Sequence, residues 1–593
     1  MLNKKIINAD LCVVGGGMAG ICAAVAAARN GAKVVLMHER PVLGGNASSE
    51  IRMWICGADG ENNRETGIVE EIALENYYRN PTKNYYIWDT VLYDFVIREE
   101  NITLLLNCTC MDAETESGDF GYDRSIKIKS VTGYQMTTQT FYEVHCKNYA
   151  DCSGDSILAP LTGAQFSIGR ESADEFGEDT HVKEHDNLTM GMSCLIQGRE
   201  TNRPVKFTPP SWSTPLNDEN FKERNPDIYD PYENFWYLEL GGNRNTIDDT
   251  EEIARELVPL AVGTWDYIKN SGNFKADNWD LDFLGFLPGK RESRRMAGEY
   301  CITERDVTEN RLFEDTVAYG GWPLDDHFPD GFYHKGTPNT NIFTPAPYCI
   351  PYRAMYSKNV SNLFFAGRNI SMTHMAMSSI RVMMTCALMG QAVGTAAAIS
   401  AKYDLTPHEV YVKKLTLLQS MLTDADCFLP NVKRSVGDLC LKTPVINGND
   451  SLKNGEDRPH RIYGDKPCGI EAENGTPIEY RFAEPQEISS VHITFDSDLN
   501  RTTLPGDDCE RYHTMRCSTL LDSPQFYVPK TLCREFILEA VTESGTEVIY
   551  KTSANLNRAY NISVGKKVRG LRLTPLSNYG ESGKTNIFSF DFK

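Results

Sequence analysis

A histidine and a short acidic cluster are the first side chains in this sequence that could take part in proton transfer. His374 lies six residues after Arg368 in the stretch FFAGRNISMTHMAMSS, and an imidazole exchanges a proton near neutral pH. The segment PLDDHF contributes Asp325, Asp326 and His327, which could orient the hydroxyls of a polyol or assist proton transfer. A packed, hydrogen-bonded role is the alternative for His374. No third separated ligand accompanies the acidic cluster, so we expect no metal site.

Three arginines within five residues form a second candidate group. The segment GKRESRRMAGEY contains Arg291, Arg294 and Arg295, which on a helix would share one face as a cationic patch. Such a patch could clamp the carboxylate of a substrate. A row of surface salt bridges explains the same run, and the residues alone leave both possibilities open.

A strand and a helix must position the residues around His374. The run NLFFAG predicts a strand that ends in a polar loop with Arg368 and Asn369, and a helix is predicted from about Ser378 through RVMMTCALMGQAVGTAAAISA. Proteins with α/β folds bind ligands where a strand ends and a helix begins. We therefore expect His374, in the loop before this helix, to project towards a ligand.

The N-terminal segment has the pattern of a dinucleotide-binding unit. The run Leu-Cys-Val-Val at 11–14 predicts a buried strand, and Gly15, Gly17 and Gly20 then form GxGxxG at the start of an Ala-rich helix. The second predicted strand, AKVVLMHER, places Glu39 nineteen residues after Gly20. A carboxylate at this position can accept hydrogen bonds from a ribose diol. NAD and FAD both remain possible at this point.

The loop after Glu39 favours the longer cofactor. The segment RPVLGGNASSE combines a Gly-Gly-Asn turn with small hydroxyl residues, and such a turn offers backbone donors for a second contact with a dinucleotide. Cofactor contacts are therefore expected from Arg40, Gly45, Asn46 and Ser49.

The segment NLFFAGRN, followed by its helix, resembles the last flavin motif of the FAD-dependent oxidoreductases in the glutathione-reductase-like superfamily. YADCSGDS at 149–156 is similar to the middle motif of that superfamily. PGKRESRRMAGEY, GGWPLDDH and YCIPYRAMYSKNVSNLFFAGRNIS together look like the bacterial group labelled FAD-dependent oxidoreductase. The resemblance covers roughly residues 8–430 and implies that FAD is the cofactor, whereas fold does not determine the substrate.

The resemblance and the motifs together predict a set of cofactor-binding residues. The first half of the site comprises Gly15, Gly17, Met18, Ala19, Gly20, Glu39, Arg40, Gly45, Asn46 and Ser49. The second half comprises Gly154, Asp155, Gly367, Arg368, Asn369, Ser379, Arg381 and Val382. In relatives, the last helix points its N-terminus at the flavin, where its positive end stabilises the reduced, anionic form.

Some features of flavoenzymes are missing from the sequence. No second GxGxxG heads a βαβ unit, so we expect no separate NAD(P)H domain and leave the electron acceptor unknown. No histidine lies between His38 and His145, which argues against the covalent histidine linkage of some relatives. Cys56, in MWICGADG, is the nearby thiol, and we expect it to be packed rather than reactive.

Composition and charge exclude several classes of protein. The 593 residues carry a formal net charge of -21 with 41% hydrophobic residues, which disfavours nucleic acid and anionic membranes as partners. The 17 cysteines include no CxxC pair, and Cys108 and Cys110 are predicted to alternate along a strand. We predict a cytoplasmic protein without a signal peptide or membrane span, and a homo-oligomer is possible.

The predicted fold is α/β. A discontinuous Rossmann-type FAD-binding domain at 1–165 and 345–403 is interrupted by an inserted α+β substrate domain at 166–344. A helical segment and linker occupies 404–439, and a β-sandwich occupies 440–593. The order of VHITFD and VRGLRLTP in this last domain resembles a galactose-binding, discoidin-like jelly roll. Such domains bind sugars or serve as structural contacts, and we favour the structural role.

We predict an FAD-dependent oxidoreductase that transfers a hydride between a CH-OH or keto group of a sugar or glycoside and flavin N5. Its catalytic residues are expected to be His374, the preferred base, with Arg294 and His327, and its substrate contacts are expected from Arg52, Arg291, Tyr348 and Arg353. One alternative is a dehydrogenase or reductase that acts on a C-C bond of a carboxylate, as in fumarate reductase relatives. Another is a flavin-carrying scaffold or carbohydrate-binding protein.

Overall fold

The structure is a computed structural model that describes residues 2–179, 182–230, 234–345, 347–464, 468–501, 515, 517–523 and 525–593. The described residues divide into two compact units. The first unit draws on 1–57, 82–415 and 513–525, and the second on 58–81, 416–512 and 526–593. The domain boundaries proposed from the sequence stay predictions.

Helices and strands in the described residues alternate through the first unit, and strands dominate the second. The helices are α1 (Met18–Arg29), α2 (Ile68–Arg79), α3 (Tyr85–Ile97), α4 (Leu158–Thr162), α5 (Ala173–Phe176), α6 (Thr250–Asn270), α7 (Glu304–Thr308), α8 (His374–Ile380), α9 (Met383–Tyr403), α10 (Pro407–Asp424) and α11 (Asp438–Lys442). The strands of the first unit are β1 (Asn3–Val14), β2 (Val34–Met37), β3 (Ile102–Leu105), β4 (Cys108–Ser117), β5 (Ile126–Gln135), β6 (Thr140–Asp151), β7 (Phe166–Ser167), β8 (Met192–Ser193), β9 (Ile196–Glu200), β10 (Glu239–Leu240), β11 (Trp279–Leu284), β12 (Gly289–Lys290), β13 (Arg295–Met296), β14 (Thr316–Gly320), β15 (Leu324–His327), β16 (Asn339–Ile342), β17 (Tyr348–Pro351) and β18 (Leu363–Phe365). The strands of the second unit are β19 (Val445–Ile446), β20 (Ile470–Glu473), β21 (Ile478–Phe495), β22 (Cys533–Thr542), β23 (Gly545–Thr552), β24 (Ala559–Asn578) and β25 (Lys584–Phe592).

A seven-stranded sheet organises the first unit. Its order is β3-β2-β1-β6-β5-β4, and β18 also pairs with β6. The strands β3, β2, β1, β6 and β18 run parallel, and Val14 and Phe365 both pair with Asp151 at the carboxyl end of β6. The glycine turn after β1 and the loop after β18 therefore meet at one edge of the sheet. This confirms the predicted Rossmann-like arrangement.

Close packing of α9 on α1 explains the small residues in both helices. A Cβ at Gly390 would lie 2.1 Å from the carbonyl oxygen of Ala19, and one at Gly394 would lie 2.1 Å from that of Ala23. Helix α9 is long and apolar enough to cross a membrane, but 94% of its most apolar window is buried inside the protein. Its composition is therefore explained by core packing.

The helix predicted from Ser378 is two helices in the structure. Helix α8 begins at His374, where Thr373 accepts a hydrogen bond from the backbone N–H of Ala376 at 3.2 Å. It ends before Arg381, because Val382 has extended backbone angles (φ -66°, ψ 146°) and precedes the start of α9. His374 is thus the first residue of a helix rather than part of the preceding loop.

The arginine-rich segment is not helical. Residues 289–290 and 295–296 form the short strands β12 and β13, which pair with β8 and β7 respectively. Since Arg291, Arg294 and Arg295 follow an extended and irregular backbone, they do not share a helix face. The predicted cationic patch is therefore not formed.

Antiparallel strands make up the sheet of the second unit, in the order β20-β25-β21-β24-β22-β23. The long strands β21 and β24 each contain register shifts in their pairing. Pro485 lies at one such shift, between Arg481 and Gln486, where a missing N–H is tolerated. The strand-rich prediction for this part of the chain is confirmed, while the jelly-roll assignment stays a prediction.

Candidate active site

The glycines after β1 differ in what they allow. A Cβ at Gly15 (φ +105°) would lie 2.4 Å from the carbonyl oxygen of Cys152, and one at Gly20 would lie 1.8 Å from that of Gly15. At Gly17 the nearest atom to a Cβ would be Cα of Gly45, at 3.9 Å. Gly15 and Gly20 are therefore required by packing, whereas Gly17 keeps open the space in front of α1.

The N-terminus of α1 has the properties of a phosphate site. It has no side-chain cap and no acidic residue in its first turn. The first backbone N–H groups of a helix have no partner within the helix and carry its positive dipole end. These groups would hold a pyrophosphate above Gly17, while Met18 and Ala19, both buried, pack the helix below it.

Glu39 is half-exposed at the end of β2 and remains available as an acceptor. The neighbouring His38 accepts the Gly16 N–H at its Nδ1 (3.0 Å), and its Nε2 lies 3.0 Å from the carbonyl oxygen of Val42. Glu39 Oε2 lies 3.1 Å from Nδ1 of His38, and 48% of the Glu39 side chain is exposed. The exposed part of the carboxylate can accept ribose hydroxyls.

The loop after Glu39 faces the same edge of the sheet. Gly44 (φ +112°) and Gly45 (φ +60°) form the turn, and the Asn46 side-chain amide donates to the carbonyl oxygen of Lys290 at 3.0 Å. The Ser49 N–H donates to Asp89 (3.0 Å). Of the predicted loop contacts, Gly45 and Asn46 thus lie at the open edge, while Arg40 pairs with Glu50 at 3.3 Å.

Asp155 collects two cations from distant parts of the chain. Its carboxylate lies 2.5 Å from Nη2 of Arg368 and 3.0 Å from Nζ of Lys290, and the Ser293 hydroxyl donates to it at 2.8 Å. Burial alone would raise the pKa of Asp155, but Arg368 and Lys290 outweigh burial and lower it to about 2. The middle and last flavin-like motifs are therefore joined in one ion-paired cluster beside Gly154.

Asn369 has a side-chain oxygen that nothing in the described residues satisfies. Its amide nitrogen donates to Asp151 Oδ1 at 3.2 Å, but its Oδ1 is buried without a hydrogen-bond partner. Gly367 (φ +115°) forms the turn beside it, where a Cβ would lie 3.4 Å from that oxygen. An unsatisfied buried acceptor at the strand ends fits a bound dinucleotide that supplies the missing donor.

The glycine turn after β1 lies with Glu39, Asn46, Asp155, Arg368 and Asn369 at one edge of the sheet, and we call this group the dinucleotide cradle. A cavity of about 290 Å³ opens next to it. Its wall combines three tryptophans with polar and charged side chains, an arrangement typical of small-molecule sites. Six predicted site residues line it, namely Asn46, Arg291, His327, Arg368, Arg381 and Val382. Further lining residues are Met53, Trp54, Cys56, Ser193, Trp236, Lys290, Trp322, Asp325, Asn339 and Asn341.

His327 lies on the cavity wall with a carboxylate at each ring nitrogen. Its Nδ1 is 2.6 Å from Glu239, and its Nε2 is 3.4 Å from Asp325. Burial favours the neutral ring, but Glu239 and Asp325 outweigh burial and raise the pKa of His327 above its usual value. Trp236 packs edge-on against the ring at 5.0 Å between centroids. The imidazole is therefore held in one orientation.

Asp325 is fixed by donors that also line the cavity. Its Oδ2 lies 3.0 Å from Arg381, and its Oδ1 accepts from the Asn339 amide at 2.5 Å. Burial would raise the pKa of Asp325, but His327 and Arg381 outweigh burial and lower it well below its usual value. Arg381 Nε is buried with no hydrogen-bond partner among the described residues, so the cavity wall keeps unused hydrogen-bonding capacity.

His374 does not line this cavity. It lies with Asp326 beside a separate cavity of about 140 Å³, and its ring bonds to Glu292 at 2.9 Å and to Asp326 at 3.0 Å. Burial favours the neutral ring, but these carboxylates outweigh burial and raise the pKa of His374 to about 10. His374 thus lies outside the cavity of about 290 Å³, and we transfer the proposed base role to His327, which lines it.

The three clustered arginines have separate surroundings. Arg291 lines the cavity of about 290 Å³ and pairs with Glu239 at 3.3 Å. Arg295 is fully buried between Glu171 (2.7 Å) and Glu292. Arg294 extends over the ring of Phe166, 5.5 Å from its centroid, and is not among the lining residues. They therefore do not form a joint carboxylate clamp.

Arg52, a predicted substrate contact, is engaged elsewhere. Its guanidinium donates to Gln197 at 2.9 Å and lies 4.3 Å from the ring centroid of Phe283 and 4.9 Å from that of Tyr85. Its neighbour Trp54, in contrast, lines the cavity. Arg52 thus supports the segment that carries Trp54 rather than the cavity surface itself.

Tyr348 and Arg353 also lie away from the cavity surface. The Tyr348 hydroxyl is 2.6 Å from the Ser379 hydroxyl, and the Tyr348 side chain is fully buried. Arg353 forms a two-point ion pair with Asp315 at 2.9 and 3.0 Å. Ser379, predicted to contact the cofactor, is therefore engaged with protein groups in this structure.

Sequence reasoning missed several residues of the site. Glu239 lies in a two-residue strand within the predicted substrate domain, and no spacing pattern connects it to His327. Asn339 and Asn341 come from β16, which pairs with the strand that carries His327. Lys290 could have been found, because it belongs to the segment PGKRESRRMAGEY that carried the family resemblance.

The Rossmann-like sheet with its glycine turn and the adjoining cavity have the arrangement expected of a flavoprotein oxidoreductase. A sequence model of the family described as FAD dependent oxidoreductase matches residues 10–419. That span exceeds half of the 593 residues, and the chain belongs to this family. The cofactor is FAD. No curated protein gives a significant match.

Solved structures of flavoenzymes and of sugar-binding domains show similarity at low identity. The FrdA chain of E. coli quinol fumarate reductase is 12% identical over 71% of this chain and 79% of that one, with a TM-score of 0.28. The p-nitrophenol 4-monooxygenase PnpA from Pseudomonas putida is 10% identical over 71% and 85%, with a TM-score of 0.32. The family 32 carbohydrate-binding module of Streptococcus pneumoniae EndoD is 10% identical over 26% and 95%, with a TM-score of 0.17. The family assignment rests on the sequence match to residues 10–419.

Proposed function

We propose that this FAD-dependent oxidoreductase acts on a CH-OH group of a sugar or glycoside, or on the matching ketone, with His327 as the residue that transfers the proton. The observation that carries the proposal is the position of His327 on the wall of the cavity beside the dinucleotide cradle. Oxidation of an alcohol requires a group that accepts the hydroxyl proton as the hydride leaves carbon. Bound FAD supplies the acceptor for that hydride.

Glu239 and His327 form a dyad suited to that proton transfer. The Nδ1–H of His327 donates to Glu239 at 2.6 Å, and Nε2 lies 3.4 Å from Asp325, which also lines the cavity. With Nε2 unprotonated, His327 accepts the proton of a substrate hydroxyl, and Glu239 stabilises the imidazolium that forms. With Nε2 protonated, the same residue donates a proton to a carbonyl oxygen. The protonation state of His327 thus determines whether it assists oxidation of the alcohol or reduction of the ketone.

The cavity surface supports a polyhydroxylated substrate. Trp54, Trp236 and Trp322 offer apolar faces to ring C–H groups, and Asn339 and Asn341 offer amide donors and acceptors. Many convergent polar groups favour a substrate with several hydroxyls, because each buried polar group needs a partner. A sugar ring has this combination of apolar faces and hydroxyl edges.

We propose that the dinucleotide cradle holds FAD in a defined direction. Glu39 would bind the adenosine ribose, and the N-terminus of α1 above Gly17 would bind the pyrophosphate. Asn46, Asp155, Arg368 and Asn369 would bind the part of the cofactor nearer the cavity. The cationic clamp required by a carboxylate substrate has less support, since Arg291 and Arg295 are in separate ion pairs and Arg294 lies over the ring of Phe166.

The visible spectrum of the FAD tests this function. The purified protein is mixed anaerobically with sugars, glycosides and dicarboxylates, and we expect the flavin bands to bleach with at least one sugar. His327→Gln should slow the bleaching about 10²- to 10⁴-fold, the range of general acid–base catalysis. His334→Gln is the matched control, because His334 stacks on Phe328 at 3.7 Å and is not a lining residue; it should keep the wild-type rate.

Two results would contradict the proposal. Bleaching that is equally fast in the His327 variant would remove the proposed base. The second result is that no sugar bleaches the flavin bands, while an unsaturated acid reoxidises the chemically reduced flavin. That result would favour the reductase acting on a C-C bond. The FAD content of each variant, read from the same spectrum, separates loss of chemistry from loss of cofactor.

A further inference from the structure

We infer that Asp325 determines specificity, and that the cavity selects substrates with two adjacent hydroxyl groups. One hydroxyl reacts at His327, and its neighbour is held by Asp325. This inference rests on the proposed function, because it uses the same cavity and the same base. It narrows the substrate class from an alcohol to a vicinal diol.

The carboxylate of Asp325 is positioned before any ligand binds. Arg381 holds its Oδ2 at 3.0 Å, and Asn339 holds its Oδ1 at 2.5 Å. An ionised carboxylate offers about four acceptor positions. A group fixed by two good donors can accept another hydrogen bond without reorganising. Asp325 is therefore a preorganised acceptor on the cavity wall.

The other contacts of Asp325 are long and can be replaced. His327 Nε2 and Trp322 Nε1 each lie 3.4 Å from its Oδ2. Hydrogen bonds at that distance are weak, so their replacement by a bond from a substrate hydroxyl costs little free energy. The ring nitrogen and the carboxylate oxygen lie 3.4 Å apart, close enough for two adjacent hydroxyls of one sugar ring to bond one to each.

The alternation of side chains along β15 explains why Asp325, and not its neighbour, has this role. Successive residues of a strand point to opposite faces. Asp325 and His327 line the cavity of about 290 Å³, whereas Asp326 lines the cavity of about 140 Å³ and bonds to His374 at 3.0 Å. Asp326 is thus a control of the same residue type on the same strand.

A thermodynamic cycle tests the inference, in which the Asp325 carboxylate is removed by mutation and the substrate hydroxyl is removed by use of a deoxy sugar, each alone and both together. We would measure kcat/KM by anaerobic flavin bleaching for methyl hexopyranosides and for each single-deoxy derivative. In the wild type, deletion of the hydroxyl next to the reacting one should lower kcat/KM about 10- to 100-fold, the range for a hydrogen bond to a charged group. In Asp325→Ala the same deletion should have little further effect. Asp326→Asn should keep the full deoxy penalty.

Equal deoxy penalties in the wild type and in Asp325→Ala would overturn the inference, as would the absence of a penalty in the wild type. Asp325→Asn preserves shape and provides the comparison if the alanine variant does not fold. His327→Gln separates failure of the diol inference from failure of the proposed function. If it stops turnover while the Asp325 variants keep the penalty, the proposed function stands and the diol inference fails. If no glycoside reduces the wild-type flavin, both fail.

Discussion

Glu239 Oε2 lies 2.6 Å from Nδ1 of His327, although 88 residues separate the two in sequence. Glu239 is also held by the Gly191 N–H at 2.7 Å and by Arg291 at 3.3 Å. Burial would raise the pKa of Glu239, but Arg291 and His327 outweigh burial and lower it to about 2. An ionised carboxylate in this position fixes the ring orientation of His327 and stabilises its protonated form.

The first prediction concerns this contact. Glu239→Gln should lower kcat for sugar oxidation about 10- to 100-fold, because a neutral amide stabilises the imidazolium less well than a carboxylate. The His327 pKa should fall as well, so the rise of activity with pH should move to lower pH. Stopped-flow reduction of the flavin across pH measures both effects. A lower rate with an unshifted pH profile would contradict the positioning role.

The second prediction is the direction of the pH dependence in the wild type. Glu239 and Asp325 raise the His327 pKa, while burial and Arg291 oppose them, and the net shift is upward from about 6.5. Alcohol oxidation requires the neutral ring, so kcat/KM should increase with pH at values above 6.5. Ketone reduction requires the protonated ring and should decrease over the same interval. An oxidation rate that falls as pH rises there would exclude His327 as the base.

The third prediction concerns stability and His374. The pKa of His374 is about 10 in the folded protein and about 6.5 when unfolded. A raised folded pKa contributes stability that is complete below about pH 6.5 and is lost as pH rises towards 10. The free energy of unfolding should therefore decrease between pH 7 and pH 10.

The matching variant for this prediction is His374→Gln. It leaves the partly buried Asp326 without its His374 partner and leaves the buried Glu292 paired with Arg295 alone, which should cost about 3–5 kcal/mol at pH 7. The decrease in stability between pH 7 and pH 10 should be smaller in this variant than in the wild type. His334→Gln should retain the wild-type slope. Denaturant unfolding at several pH values measures all three proteins.

The fourth prediction separates cofactor binding from folding at the glycine turn. Gly17→Ala meets no atom closer than 3.9 Å, so the apoprotein should keep its stability, but the added methyl occupies the proposed pyrophosphate position and should lower FAD content. Gly15→Ala has a positive φ and a Cβ 2.4 Å from a carbonyl oxygen, so it should destabilise the protein by about 1–3 kcal/mol or more. Absorbance ratios and apoprotein unfolding distinguish the two. Normal FAD content in Gly17→Ala would displace the proposed pyrophosphate position.

The sequence by itself determined the nucleotide-binding half of this protein. Buried runs such as 11–14, the GxGxxG turn and the helices that follow are local patterns, because backbone geometry restricts which residues fit each position. The meeting of Val14 with Asp151 and of Asp151 with Phe365 follows from parallel pairing. The family assignment and the FAD cofactor could be predicted for the same reason.

Only the tertiary structure decided which side chains share a cavity. His374 and His327 were both candidates for proton transfer in the sequence. In the structure, His374 lies at a helix start between Glu292 and Asp326, whereas His327 lies on a strand and lines the cavity of about 290 Å³. The arginine cluster was read as one helix face, but pairing with β7 and β8 extends its backbone and separates its members. Glu239 joins His327 through a contact between distant segments, and contacts of that kind depend on three-dimensional packing, which no local spacing encodes.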